Sequence, residues 1–255
     1  SWRLNGVLSS GFRSPNIDDI GKVREKNGEV TVPNADLEPE FAYNFEAGVL
    51  KYFNERTWYL GLTTYYTLLN NYIIRAPYVL NGSSTVIFDG EEGNVVANVN
   101  KGNAYIVGGT FNFKGTLSNT WSTRAAVTYT KGSAFDTKEP LSSIPPLFGN
   151  IEFNYSKNRI ETGVNLIFNG RKRLSDYNIS EGIDNIEQTP FLEEENEFYG
   201  SPEWYTINYY FRLKASKNID FLVNLDNLLD QHYKEFASAI SAPGRNISFT
   251  LIGSF

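Results

Sequence analysis

Ten stretches of this chain alternate apolar with polar residues, most of them for about 10–13 positions. A period of two is the mark of an extended strand with one greasy and one wet side. Ordinary strands average about five or six residues, whereas a tilted strand needs about 9–11 to cross a bilayer. The end of the chain shows the pattern plainly. Ile247, Phe249, Leu251, Gly253 and Phe255 share one face, and Ser248, Thr250 and Ser254 share the other, with Ile252 the one apolar intruder. The predicted strands are 2–12, 41–53, 57–69, 103–114, 119–130, 147–156, 158–169, 203–214, 218–228 and 245–255. Charges keep to one face of them: Glu46, Arg124, Glu161, Arg212, Lys214 and Asp220. Such charges are costly against lipid and cheap in a wet lumen.

The connections alternate as regularly as the strands do. Short ones (Asn54-Glu55-Arg56, Gly115 to Ser118, Ser156-Lys157, Ala215-Ser216-Lys217) take turns with long ones at 13–40, 70–102, 131–146, 170–202 and 229–244. This rhythm predicts an antiparallel transmembrane β-barrel with short turns on the periplasmic side and long loops outside. Trp2, Trp58 and Trp121 then fall at one level, the periplasmic ends of upward strands, as an interfacial aromatic belt would place them. The chain is 255 residues with 16 Tyr, 18 Phe and 4 Trp, and it has no Cys. No apolar run is long enough for a transmembrane helix, and the mean hydropathy of −0.35 is what alternating strands average to. Trp2 already reads as strand, so residues 1–255 are expected to be one incomplete domain, part of a larger sheet.

Composition removes some functions. A net charge of −6 argues against a nucleic-acid partner, which would select a basic face. Without Cys there are no disulfides or thiolate metal sites. His232 is the single His. Asp226, Asp230 and Glu235 lie near it in sequence, but no ligand spacing supports a metal, and no G-x-S-x-G elbow supports a hydrolase. No catalytic residue, metal or cofactor is expected. Ligand contacts are expected in the long loops over the barrel mouth. For an anionic ligand the candidates are Arg75, Tyr78, Arg171, Arg173, Tyr177 and Tyr199. Arg13 is expected to pair with Asp18 or Asp19 at the rim, and Gly11 and Gly48 mark either bends or bulges or places where a side chain would obstruct a plug in the lumen. Two other readings fit the pattern less well: a soluble carbohydrate-binding β-sandwich, with shorter strands, and a complete ten-stranded outer-membrane barrel enzyme, which would cluster Asp and His at its mouth.

Particular segments resemble one family. Gly11-Phe12-Arg13-Ser14-Pro15 through Asp19-Ile20 is similar to its G-F-R-x-P-x-x-x-D-L segment. Asn34 to Glu40, followed by Tyr43 to Gly48, is similar to N-x-x-L-x-P-E…Y-E-x-G. Pro140 to Pro146 resembles P-L-x-x-I-P, and Asn224 to Tyr233 resembles N-x-x-N-L-x-D-x-x-Y. Pro243-Gly244-Arg245-Asn246 leads into the last strand as in the family. The chain thus resembles the C-terminal part of a TonB-dependent outer-membrane receptor of the kind common in Bacteroidota. The resemblance implies the last ten strands of a 22-stranded barrel, with the plug and the TonB-binding segment outside this chain. It implies a transporter rather than an enzyme, located in the outer membrane and importing a scarce nutrient such as siderophore-bound iron, cobalamin, a glycan or a peptide. Its implied partners are the TonB complex, outer-membrane lipid, a small nutrient ligand and, for some glycan and peptide importers, a surface lipoprotein. The barrel-assembly machinery would read Phe249, Leu251 and Phe255.

Overall fold

The computed structural model describes residues 1–53, 55, 57–179 and 184–254. The expected turn positions Asn54 and Arg56, the loop residue Glu181 and the terminal Phe255 lie outside the described residues. In chain order the strands are β1 (Trp2–Arg13), β2 (Arg24–Lys26), β3 (Glu29–Thr31), β4 (Glu40–Phe53), β5 (Trp58–Asn70), β6 (Ile73–Pro77), β7 (Thr85–Phe88), β8 (Glu91–Asn100) and β9 (Asn103–Thr116). Then come β10 (Trp121–Ala134), β11 (Phe148–Lys157), β12 (Ile160–Asn169), β13 (Phe191–Leu192), β14 (Glu197–Phe198), β15 (Trp204–Lys214), β16 (Ile219–Asp226) and β17 (Asn246–Gly253). One short helix, α1 (Ile17–Gly21), follows β1.

Ten of these form one antiparallel sheet in the order β1-β4-β5-β9-β10-β11-β12-β15-β16-β17, and it is not closed. They are the ten predicted strands, each within a few residues of its expected bounds. The largest departure is β10, which runs on to Ala134 because β9 keeps pairing with it as far as Ala104. β11 leaves it at Thr128. The sheet has two chemically distinct faces. On the outer face Phe41, Phe45, Leu62, Phe111, Phe153, Val164, Phe221 and Phe249 are all exposed. The inner face carries a polar lattice: Thr67 Oγ1 donates to Asn44 Oδ1 at 2.8 Å, and the hydroxyls of Thr110 and Thr128 lie 3.0 Å apart. Arg212 pairs with Asp220 at 2.5 Å and Glu161 at 3.5 Å, and Lys214 also pairs with Glu161. A sheet apolar on the exposed side and ion-paired on the other is built for lipid outside and water inside.

Two glycines on the inner face take a tyrosine laid across them. Tyr65, Gly108 and Thr130 are opposite one another on β5, β9 and β10. The Tyr65 ring covers Gly108, and its hydroxyl lies 2.5 Å from Thr130 Oγ1. Tyr210, Gly163 and Asn154 repeat this across β15, β12 and β11, with Tyr210 Oη donating to Asn154 Oδ1 at 3.1 Å. Only glycine leaves room for a ring to lie flat on its own sheet. Gly48 likewise lies under the Asn5 side chain, whereas nothing lies within 4 Å of a side chain added at Gly11.

The two longest N-terminal loops carry structure that the sequence did not foretell. β2, β3, β8 and β6 form a second sheet, with β7 on β8, and β3 pairs β8 in parallel. Val30, Val32, Val95 and Ala97 are its buried core. Trp2, Trp58 and Trp121 all start strands at the short-turn end, where the register sets Trp58 opposite Phe53 and Trp121 opposite Tyr155.

Candidate functional site

The family-like motifs do their work at the bases of the long loops. Arg13, the last residue of β1, donates to Asp19 at 2.7 Å and to Glu40 at 2.6 Å. Asp19, rather than Asp18, is therefore its rim partner among the two expected. Asn16 caps α1 by accepting from Asp18 and Asp19 backbone N–H groups, and Asp19 accepts in return from the Asn16 N–H. Such a reciprocal cap satisfies donors that a short helix would otherwise leave open. Glu40 Oε2 accepts from Ile73 N, Asn34 donates to Asn98 O, and Asn98 donates to Asp19 O. These bonds join the loop before β4 to the loop before β9. Asn227 does the same for the last loop. Its backbone N–H donates to Asn208 Oδ1, and its amide donates to the Gln231 and Pro243 carbonyls. Asp230 accepts from Arg245 N.

The loops between β12 and β15 and between β16 and β17 enclose a cavity of about 350 Å³. Tyr177, Asn185, Gln188, Trp204, His232 and Tyr233 are among its lining residues. Trp204 opens β15 on the inner face, and its ring packs on Tyr233 with centroids 4.1 Å apart and planes tilted by 31°. Beside the cavity lies a buried ion pair, Lys172 with Asp184 at 3.5 Å, whose side chains are 4% and 3% exposed. Lys172 Nζ also donates to Ile144 O, and Asp184 accepts from Ser143 N. The ammonium lies 4.9 Å and 4.3 Å from the centroids of the Tyr177 and Phe236 rings. Three long loops therefore meet at one charge pair.

Burial sets the electrostatics here. Desolvation pulls the Lys172 ammonium below the usual lysine range, and Asp184 opposes that pull. Desolvation pushes the Tyr177 phenol up to about 12, although Ser201 beside it acts the other way. Its hydroxyl forms no well-made hydrogen bond, and neither does Trp204 Nε1. Burial also raises Tyr233, helped by Glu235.

The six predicted ligand residues divide between two places. Arg171 lies 3.5 Å from the centroid of Tyr199 and donates to its carbonyl oxygen. Tyr177 is buried in the cavity wall, and Arg173 is exposed on the same loop. Arg75 instead pairs with Glu29 at 3.3 Å, and Tyr78 packs on the Val30 core of the second sheet. Sequence reasoning passed over Lys172, Asp184, Trp204 and Tyr233. One signal was available: Trp204 is the Trp that does not start an upward strand. His232 Nε2 lies 2.9 Å from Ser241 Oγ at the loop base. On β17, Phe249 and Leu251 are exposed on the outer face.

Residues 1–228 match the family described as TonB dependent receptor-like, beta-barrel. No curated protein matches the chain. Among solved structures, the copper transporter OprC superposes with a TM-score of 0.75 at 18% identity, over 100% of this chain and 38% of its own. The siderophore receptor PirA from Acinetobacter baumannii gives 0.74 at 21%, over 100% and 39%. The ferric enterobactin receptor PfeA from Pseudomonas aeruginosa gives 0.76 at 16%, over 100% and 38%. At these identities the likeness is one of fold, and the chain spans well under half the length of those proteins. The family match covers most of the chain, which therefore belongs to the TonB-dependent receptor-like β-barrel family.

Proposed function

We propose that residues 1–255 are the C-terminal part of the barrel of a TonB-dependent outer-membrane transporter. It imports a scarce nutrient of the siderophore-iron, cobalamin, glycan or peptide class with energy from the inner-membrane proton gradient. The observation that carries this is the ten-stranded, two-faced sheet whose two edges are both open, in a chain that belongs to this family. Unpaired strand edges are not tolerated in hydrocarbon, so further strands must complete the wall. The long loops face outward and the short turns face the periplasm. TonB is contacted through a region outside this chain, and β17, through Phe249, Leu251 and the terminal Phe255, is read by the assembly machinery. Arg171, Arg173, Tyr177 and Tyr199 take part in ligand capture from one loop, and Arg75 and Tyr78 contribute from the second sheet.

The test starts with the native polypeptide in the outer-membrane fraction, detected by an antibody to residues 170–202. A band about two to three times the 28.8 kDa of this chain is expected, from the 38–39% coverage of its structural relatives. Binding of that antibody to intact cells checks the orientation. Growth on limiting iron chelates, cobalamin, glycans or peptides is then compared with and without functional TonB. A band at 28.8 kDa, or growth indifferent to TonB on every nutrient, overturns the reading.

A further inference from the structure

We infer that the cavity between the loops flanking β15 binds a neutral, polyhydroxylated ring, a saccharide unit, with Trp204 and Tyr233 as its platform. The inference rests on the transport reading above and names the ligand chemistry of its outward face. Three observations carry it. The volume, about 350 Å³, is at the small end of the range for small-molecule sites, enough for one or two sugar rings. Trp204 and Tyr233, with ring centroids 4.1 Å apart and planes 31° from parallel, put aromatic surface in the cavity wall, and a Tyr233 ring that swings off Trp204 frees a face of the kind that accepts the C–H face of a sugar. Trp204 Nε1, on a residue lining the cavity, is enclosed without a hydrogen-bond partner among the described residues, and the Tyr177 hydroxyl, on a side chain only 4% exposed, has Ser201 beside it. Buried polar groups are nearly always satisfied, so an orphan indole N–H at the cavity wall points to a ligand as its partner. Rearrangement of the Tyr233 ring on binding brings a ligand oxygen to the Trp204 N–H.

The charges select against the other ligand class. Among the described lining residues the lysine is Lys234, whose ammonium already donates to Gln188 O at 3.1 Å. Lys172, close by, is held by Asp184. Glu203 and Glu235 also line the cavity. An anionic chelate meets carboxylates there and no free cation, whereas sugar hydroxyls can both donate to the carboxylates and pair with the amides of Gln188 and Gln231.

The test uses the full-length receptor, with its plug, in detergent micelles. It is titrated with maltose, cellobiose, xylobiose and chitobiose, with an anionic ferric catecholate for comparison, and read by calorimetry and tryptophan fluorescence. Saturable binding of at least one disaccharide is expected. Trp204→Phe keeps the ring and removes the N–H, and it should weaken that binding about tenfold, the worth of one well-placed hydrogen bond. Gln188→Ala, an exposed rim change that leaves the stack intact, should weaken it several-fold. Heat-modifiable migration on gels confirms that each variant is folded. The inference is overturned if no disaccharide binds, if binding is indifferent to both variants, or if the ferric catecholate is the ligand that both variants lose. Should the receptor import another nutrient with Trp204→Phe neutral, the transport reading stands and the saccharide site falls.

Discussion

Arg171, Lys172 and Arg173 form one basic run, and neighbouring residues in extended chain point opposite ways. The sequence favoured the two arginines as ligand contacts because an anionic ligand would call for convergent Arg and aromatic groups near the mouth. The structure leaves Arg171 and Arg173 exposed and turns Lys172 inward to Asp184. Nothing local signals that choice, because the acidic partner belongs to a glutamate-rich loop in which any carboxylate could have served. Removing one member of a buried pair costs about 3–5 kcal/mol, since the other is left charged and unpaired. Lys172→Met should therefore loosen three loops together, read as faster tryptic nicking at Arg171 and Arg173 in the folded receptor. Lys172→Met combined with Asp184→Leu should restore most of the resistance, because no charge is then stranded. Tyr177 offers a second residue-scale test. Burial pushes its phenol from the ordinary value of 10 up to about 12. A raised folded value means that its contribution to stability is complete below pH 10 and is lost as pH rises through 12. In a spectrophotometric titration Tyr177 should be among the late-ionising tyrosines, near pH 12 while the loops stay packed, and Tyr177→Phe should reduce the late amplitude by one tyrosine.

Strands were legible because period-two alternation is a local signal, and ten such segments with alternating connections admit few other arrangements. The strands inside the loops were not legible. β2, β3, β6 and β7 are three to five residues long, and β3 gains its place only by pairing with β8 from a different loop. The glycines sit between these cases. Gly48 was read as either a bend or a place where a side chain would obstruct a plug, and the structure gives a different neighbour, Asn5 of β1 lying over it. The tyrosine partners of Gly108 and Gly163 come from register, which the sequence does not print. A Cβ at Gly163 would stand 2.7 Å from the Phe153 carbonyl oxygen and from Tyr210 Cε1, and one at Gly108 would stand 2.6 Å from the Tyr129 oxygen. A backbone oxygen cannot step aside as a flexible side chain can. Gly163→Ala and Gly108→Ala are thus each expected to cost about 1–3 kcal/mol, measured by denaturant unfolding in detergent. Tyr65→Phe, which loses only the bond to Thr130, should cost about 0.5–1.5 kcal/mol. An Ala variant milder than Tyr65→Phe would mean that the rings do not need the glycines.

At the scale of the molecule the two faces and the two edges make separate demands. The faces ask for lipid outside and water inside. Leu62 and Thr63 are neighbours near mid-height of β5, on opposite faces; Leu62 is exposed on the outer one, paired with Val49 and Phe111. Leu62→Lys should cost about 2–4 kcal/mol in the assembled barrel, because the ammonium meets the bilayer midplane. Thr63→Lys keeps its charge in the wet lumen and should fold nearly as the parent does. Equal costs would mean that the faces are misassigned, and a reversed order would put the polar lattice against lipid. The edges ask for more chain. Among the described residues, β1 lacks a partner on one side along Trp2–Arg13, and β17 lacks one along Asn246–Gly253. Every second N–H and C=O on those edges is open, which in hydrocarbon is costly and in water invites edge-to-edge association. The outer face adds a broad apolar surface that no soluble monomer keeps exposed. Residues 1–255 expressed alone without detergent should therefore aggregate. The full-length receptor should refold in micelles with the heat-modifiable migration of a closed barrel. A soluble monomer of residues 1–255 with a sharp cooperative melt would remove the need for further strands and for the membrane, and it would return the chain to the soluble sandwich alternative.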